Sequence, residues 1–308
     1  MLLLSLPASA AAAASGSTSY WLETGQASLL NGSFAQAIES FDRAIKIDPE
    51  NASAWGGKGV ALTRLGRYKM AELCFNYALG KDAKNSRLWL EDGRTKELAG
   101  EWGEARQSYE RALTLDSSLA GAWLGKANAS LALESYDEAL HSFKNASLYG
   151  LSAAGEAGQV RVLLAQGFAF LQEGKFEEAY ESSNDALALA PGLAPGPQNL
   201  RALQLKGDAL SSLDRFEEAF ACYDEILDGN SSNEMGKAGK SQALVGLGEK
   251  ALAAGNVFQA LENFEDASRL APQSEEALSG WVRALTAEGD QLLEKGLFPE
   301  AQKSYETA

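Results

Sequence analysis

The chain of 308 residues is poor in the groups that build metal sites and covalent scaffolds, with two cysteines and one histidine. Two Cys cannot make a disulfide framework, and two Cys with one His cannot complete a zinc site. Basic residues are also short, 27 Lys and Arg against 42 Asp and Glu, for a net charge of −15. Neutralising a phosphate backbone needs a basic face that this composition hardly supplies, so no nucleic-acid partner is expected. No run approaches the roughly 18–20 apolar residues that span a bilayer, so no integral membrane span is expected either. The apolar-polar alternation of strands is missing throughout. What is present is a foldable composition, 45% apolar and 22% charged, which excludes wholesale disorder.

The charge is unevenly spread. Residues 1–153 carry 15 basic and 17 acidic side chains, while 154–308 carry 12 and 25. The two halves therefore present different surfaces, and different partners are expected for them.

Repetition dominates the order of residues. Trp21, Trp55, Trp89 and Trp123 are each 34 residues apart. The same spacing recurs in Ala37, Ala71, Ala105 and Ala139, and in Phe41, Phe75, Tyr109 and Phe143. Gly25, Gly59 and Gly93 keep step. In the second half Gly167, Gly207, Gly248 and Gly289 follow at 40, 41 and 41 residues, each 12 before Ala179, Ala219, Ala260 or Ala301. A fixed period of this length marks a stacked array in which each unit touches only its neighbours. The constant interval places the additional six or seven residues of the later units outside the paired core, at Ala194 to Asn199, Glu234 to Lys240 and Gln273 to Gly280. They are either longer connections or further turns of a first helix. Each unit reads as two helices, the first stopping near a glycine such as Gly32 or Gly66 and the second before a proline such as Pro49 or Pro272. The recurring Gly of the first helix is expected to face the Ala of the second so that the backbones approach closely, with a neighbouring aromatic filling the space.

The order Trp21, Gly25, Phe34, Ala37, Phe41, Ala44, Pro49 resembles the signature of the tetratricopeptide repeat family. The resemblance runs from Thr18 to Ala308 in eight units. Later units depart from it, with Leu163, Leu203, Leu244 and Leu285 in place of the Trp. The resemblance implies an all-α solenoid of helical hairpins wound into a right-handed superhelix, with first helices lining its concave wall. The expected domains are a leader over 1–17, four 34-residue repeats over 18–153, and four longer repeats over 154–308, the last incomplete. That break inside a second helix leads us to expect a longer parent protein.

Candidate chemistry is sparse. His141 stands alone on a second helix. Cys74 and Cys222 lie four units apart, tens of Å at about 10 Å per helix layer, too far for a disulfide. Gly236-Lys237-Ala238-Gly239-Lys240-Ser241 ends like a phosphate loop, but position 234 is Glu and no strand precedes it. Gly56, Gly57 and Gly59 likewise lack the strand of a dinucleotide fingerprint. The pairs Glu177-Glu178 and Glu217-Glu218 open second helices, where carboxylates favour the positive dipole end. No cofactor, metal or catalysis is expected.

Function is therefore expected in the groove. Two positions of the first helices should face it, and they supply Arg87, Arg94, Asn128, Arg161, Phe168, Arg201, Asp208 and Arg283. Guanidinium forks at Arg161 and Arg201, beside Phe168, suit a carboxylate and an apolar anchor on a peptide or extended segment of a partner protein. The alternative is that Arg201 with Asp208, and Arg283 with Asp290, neutralise each other as ordinary surface. The Lys/Asn clamp of the family's chaperone-tail binders is absent. A second function compatible with the sequence is a docking or regulatory arm of a larger enzyme, and a third is self-association through open repeat ends. Met1 to Ala14, an apolar stretch ending in small residues, reads as an export signal or as a disordered leader. Five N-x-S sequons fit export.

Overall fold

A computed structural model describes residues 16–189 and 196–308 of the protein. The signal-like stretch Met1 to Ala14 lies outside the described residues. Among those residues there are 16 helices and no strand. The first helices of successive units are α1 (Thr18–Leu30), α3 (Ala52–Arg64), α5 (Ser86–Leu98), α7 (Ala120–Ala132), α9 (Ser152–Gln172), α11 (Pro197–Ser212), α13 (Glu234–Ala253) and α15 (Glu275–Glu294). The second helices are α2 (Phe34–Ile47), α4 (Tyr68–Lys81), α6 (Trp102–Leu115), α8 (Tyr136–Leu148), α10 (Phe176–Ala188), α12 (Phe216–Gly229), α14 (Val257–Leu270) and α16 (Phe298–Thr307). The architecture is an all-α solenoid of helical repeats. It falls into two compact units that divide between Gly158 and Gln159.

Local chemistry fixes the helix ends. Asn51, Asn85 and Asn233 cap α3, α5 and α13 by accepting from the amides of Ala54, Leu88 and Gly236 at 3.0, 3.2 and 2.9 Å, satisfying donors that a helix start leaves free. Most first helices end on a left-handed glycine such as Gly66 at φ 71°, the residue that adopts this turn without strain. The repeating tryptophan pins the preceding turn. The indole Nε1 of Trp55, Trp89 and Trp123 donates to the carbonyl six residues earlier, of Pro49, Ala83 and Ser117, at 2.9, 2.9 and 2.8 Å.

Of the additional residues of the later units, Glu234 to Lys240 lie within α13 and Glu275 to Gly280 within α15, so there they are helix, while Ala194 and Pro195 lie outside the described residues and α11 begins at Pro197. First helices of the second half span 21, 16, 20 and 20 residues, against 13 for each of the first four.

The aromatic expected beside the first-helix glycine is there, and it is the ring of the second helix, not the alanine, that lies directly against the glycine. A Cβ built on Gly25 would meet Phe41 at 2.7 Å, on Gly59 would meet Phe75 at 2.9 Å, and on Gly207 would meet Tyr223 at 2.6 Å. A second glycine, on the next first helix, closes over the same ring. Gly57 lies on Phe41, Gly125 on Tyr109, Gly239 on Tyr223 and Gly280 on Phe264, with built Cβ positions 2.2–2.4 Å from the ring. Each of these rings is therefore clasped between backbones of two consecutive units, and Phe41, Tyr109, Tyr223 and Phe264 are at most 1% exposed. Full burial of such a ring contributes about 1.5–3 kcal/mol. Where the ring is a tyrosine, the first helix supplies an acceptor for its hydroxyl. Tyr223 donates to Asp208 Oδ1 at 2.5 Å and Tyr305 to Asp290 Oδ1 at 2.6 Å. Tyr109 donates to Glu97 Oε2.

One charged group lies deep in the first unit. Asp92 of α5 is 1% exposed; its Oδ2 accepts from Lys96 Nζ at 2.9 Å and from Ser108 Oγ at 2.6 Å.

Candidate functional site

First helices of neighbouring repeats touch one another, α1 with α3, α3 with α5 and α5 with α7 in the first unit, and α11 with α13 and α13 with α15 in the second. The first helices α1 to α7 thus form one wall, and α11, α13 and α15 another. In the first unit this wall opens into a cleft of about 370 Å³ between α3 and α5, lined by Val60, Thr63, Arg64, Glu91, Arg94, Glu97 and Leu98. Arg94 Nη1 donates to Glu91 Oε1 at 2.8 Å. Glu97 is held twice, accepting from the Tyr109 hydroxyl and from Asn128 Nδ2 of α7 at 3.3 Å. Burial, reinforced by the Glu97 charge, pushes the Tyr109 phenol far above its ordinary range, so it stays a donor. Arg64 makes no ion pair among the described residues, which leaves its guanidinium available beside the apolar Val60 and Leu98.

In the second unit the guanidinium of Arg201 (α11) lies over the Phe168 ring (α9), 5.7 Å from its centroid, within the range of a cation–π contact. Arg161 is exposed on α9 two turns before Phe168, a spacing that keeps both on one helix face.

The other expected groove residues have different attachments. Asp208 is bound to Tyr223, and burial pushes its carboxyl above the ordinary carboxylate range. Arg283 of α15 pairs in bidentate fashion with Glu249 of α13, with Nη1 donating to Oε2 at 3.0 Å. The neutralising pairs weighed from sequence, Arg201 with Asp208 and Arg283 with Asp290, are thus replaced by a ring, two tyrosines and Glu249. The charge of Arg87 acts at the α6–α7 turn. There the Asp116 carboxyl is held low first by the Ser118 hydroxyl and amide, at 2.6 and 3.0 Å, and then by Arg87. The structure therefore gathers Arg94 and Asn128 about Glu97, and Phe168 with Arg201. Sequence reasoning missed Arg64, Glu91 and Glu97. Their positions one turn either side of Val60 and Arg94 were the available signal.

The glycines that mimic nucleotide loops are packing devices. Gly236 and Gly239 lie inside α13 against Ile226 and Tyr223, and Gly56 faces Leu88. Both cysteines are buried, and burial pushes their thiols up. Among the described residues no cluster of His, Cys, Asp and Glu could hold a metal ion, and no helix is long and apolar enough to cross a membrane.

Family comparison agrees with the repeat geometry. One tetratricopeptide repeat profile matches residues 6–52, 22–86 and 92–153, and a second matches 200–231, together more than half of the chain. The chain belongs to the tetratricopeptide repeat family. No curated protein matches it at a significant level. Among solved structures, the C-terminal part of a tetratricopeptide repeat protein from Cytophaga hutchinsonii superposes with a TM-score of 0.50 at 16% identity, covering 84% of this chain and 98% of that one. A tetratricopeptide repeat protein from Parabacteroides merdae gives 0.46 at 16% identity over 87% and 98% of the two chains. The MamA protein gives 0.47 at 19% identity over 58% and 98%. Similarity of this degree is a likeness of fold. Within the tetratricopeptide fold, the cleft between α3 and α5 and the Phe168–Arg201 pair are features of this chain's own residues.

Proposed function

We propose that this protein is a non-catalytic interaction scaffold that takes an extended peptide segment of a partner protein along its first-helix walls. The cleft between α3 and α5 carries this reading. It combines Arg64, a cation with no ion pair among the described residues, with apolar surface from Val60 and Leu98, while Glu91 and Glu97 are already satisfied by Arg94, Tyr109 and Asn128. Such a surface favours a ligand with a carboxylate beside an apolar side chain, because the charge steers the encounter and the buried side chain holds. In the second unit Arg201 over the Phe168 ring, with Arg161 on the same face of α9, supplies guanidinium groups next to an aromatic surface.

The test begins with affinity capture on the intact array and synthetic peptides from the partner recovered. Titration calorimetry at low and moderate salt then compares wild type with Arg64→Ala and with Arg161→Ala/Arg201→Ala. Each lost charge-assisted contact should weaken binding by about 1.5–3 kcal/mol, with unchanged helical content. Equal affinity in both variants would refute the groove assignment.

A further inference from the structure

The repeats align with one another, and the cleft between α3 and α5 is where charge replaces their shared apolar residues. At the position of Glu97 the other 34-residue repeats carry Leu29, Thr63 and Leu131, and the longer repeats, counted from their leucines, carry leucine or serine. At the position of Arg64 stand Leu30, Leu98 and Ala132. The ring that Glu97 binds departs in step with it, since Tyr109 stands where Phe41, Phe75 and Phe143 stand. Stacking does not require this exchange, because the first and fourth repeats pack with Leu29 and Phe41 and with Leu131 and Phe143.

The two charges share the cleft without cancelling. Glu91 is neutralised by Arg94 at 2.8 Å, whereas neither Arg64 nor Glu97 takes part in an ion pair among the described residues. Glu97 is tethered by Tyr109 of α6 and, at 3.3 Å, by Asn128 Nδ2 of α7. Both tethers are neutral donors, so they hold the carboxylate in the cleft wall and leave its charge in place. A carboxylate has about four lone-pair sites, and two remain for a donor that enters the cleft. An occupant without a cation covers this carboxylate uncompensated, which costs desolvation. An occupant without an anion does the same to Arg64.

We infer that this cleft selects a peptide segment carrying both signs of charge, an acidic residue for Arg64 and a basic residue for Glu97, with an apolar side chain between them against Val60 and Leu98. The inference rests on the peptide-binding reading above and adds to it a second charge. With the second charge comes a direction, because Arg64 belongs to α3 and Glu97 to α5. A segment lying the other way sets like charges against each other at both ends and is rejected.

The test uses the whole chain and synthetic peptides with acetylated and amidated ends. Aspartate, leucine and lysine occupy alternate positions with serine between them, which puts all three on one face of an extended chain. A second peptide has the three in reverse order. For the tighter of the two, a third has alanine for the lysine and a fourth alanine for the aspartate. Titration calorimetry on the wild type should separate the two orders. Loss of the lysine from the tighter one should weaken binding about three- to tenfold. Glu97→Gln should erase that preference for lysine and keep the preference for aspartate. Its amide still accepts from Tyr109 and, with the Asn128 amide turned over, donates to Asn128. Glu97→Leu/Tyr109→Phe, which restores the pairing of the first and fourth repeats, should act in the same way. Arg64→Ala should erase the preference for aspartate and keep that for lysine. Circular dichroism confirms that each variant keeps its helices. Equal affinity for the two orders, a lysine preference that is missing in the wild type or survives both Glu97 variants, or no binding by any of the four peptides overturns the inference. If the preference for aspartate is present and depends on Arg64 while that for lysine is missing, the second charge is refuted and the groove reading stands.

Discussion

Replacing Gly239 by alanine examines the clasp around Tyr223 directly. The new methyl would lie 2.2 Å from one ring carbon and 2.5 and 2.6 Å from the next two, whereas carbon atoms settle at about 3.5–4.0 Å. The ring therefore has to retreat by about 1.3 Å. It has nowhere to go. A Cβ on Gly207, behind it, would already be 2.6 Å from the ring, and the hydroxyl is tied to Asp208 at 2.5 Å. Overpacking of this kind costs about 1–3 kcal/mol, and the blocked retreat places this site near the top of that range. Against it, alanine in place of a helical glycine gains about 1 kcal/mol of intrinsic propensity. The expected net loss is about 2 kcal/mol, read as local opening free energy from amide hydrogen exchange along α12 and α13. In a Tyr223→Leu background the clash disappears and only the propensity gain remains, so the same Gly239→Ala change should become stabilising relative to Tyr223→Leu alone. An unhindered helical glycine, Gly103 in α6, should also gain on conversion to alanine. If Gly239→Ala has the same sign and size in both backgrounds, the ring is not what the glycine accommodates.

Two further outcomes follow from buried polar groups. Ser108→Ala removes a 2.6 Å donor from Asp92, whose Oδ1 already lacks a hydrogen-bond partner, and should cost about 1–3 kcal/mol in the first unit by denaturant titration; no loss would show that Lys96 alone suffices. Tyr109 and Tyr223 have folded-state pKa values raised by burial and by their carboxylate acceptors. Their stabilising contribution is complete below the unfolded phenol value near 10 and is lost as pH rises from there toward the folded value, at about 1.4 kcal/mol per pH unit for each phenol. Replacing both by Phe should flatten that alkaline slope, and an unaltered slope would assign it to other groups.

The fold was legible because the same solution is written several times over. A single Trp or Gly carries little information, but Trp21, Trp55, Trp89 and Trp123 in register, with their alanines and rings, leave no room for another architecture. What the register hid was partnership across units. Gly25 and Ala37 recur together, so they looked like direct partners with a ring beside them, yet it is the Phe41 ring itself that lies against the glycine. Gly239 belongs to Tyr223, sixteen residues earlier, but stood in a stretch resembling a phosphate loop. Constant spacing also could not distinguish added helix turns from longer connections, since either keeps the glycine-to-alanine interval. Helical phase put Arg94, Asn128, Phe168 and Arg201 on first helices, which is where they lie, but phase says nothing of hydrogen-bond competition. Asp208 is taken by a tyrosine whose hydroxyl needs an acceptor, and Arg283 by Glu249 of the neighbouring first helix.

The double clasp of Phe41, Tyr109, Tyr223 and Phe264 moves the natural joint of the molecule. A repeat defined from tryptophan to proline contains its ring but only one of the two backbones that enclose it. The other arrives with the next first helix, as Gly57 does for Phe41. A piece cut from this chain at a repeat boundary would thus carry one aromatic face open to water, while a piece cut one helix later would carry none. For dissecting or transplanting these repeats, the self-sufficient module is therefore three helices long, and consecutive modules must overlap by one.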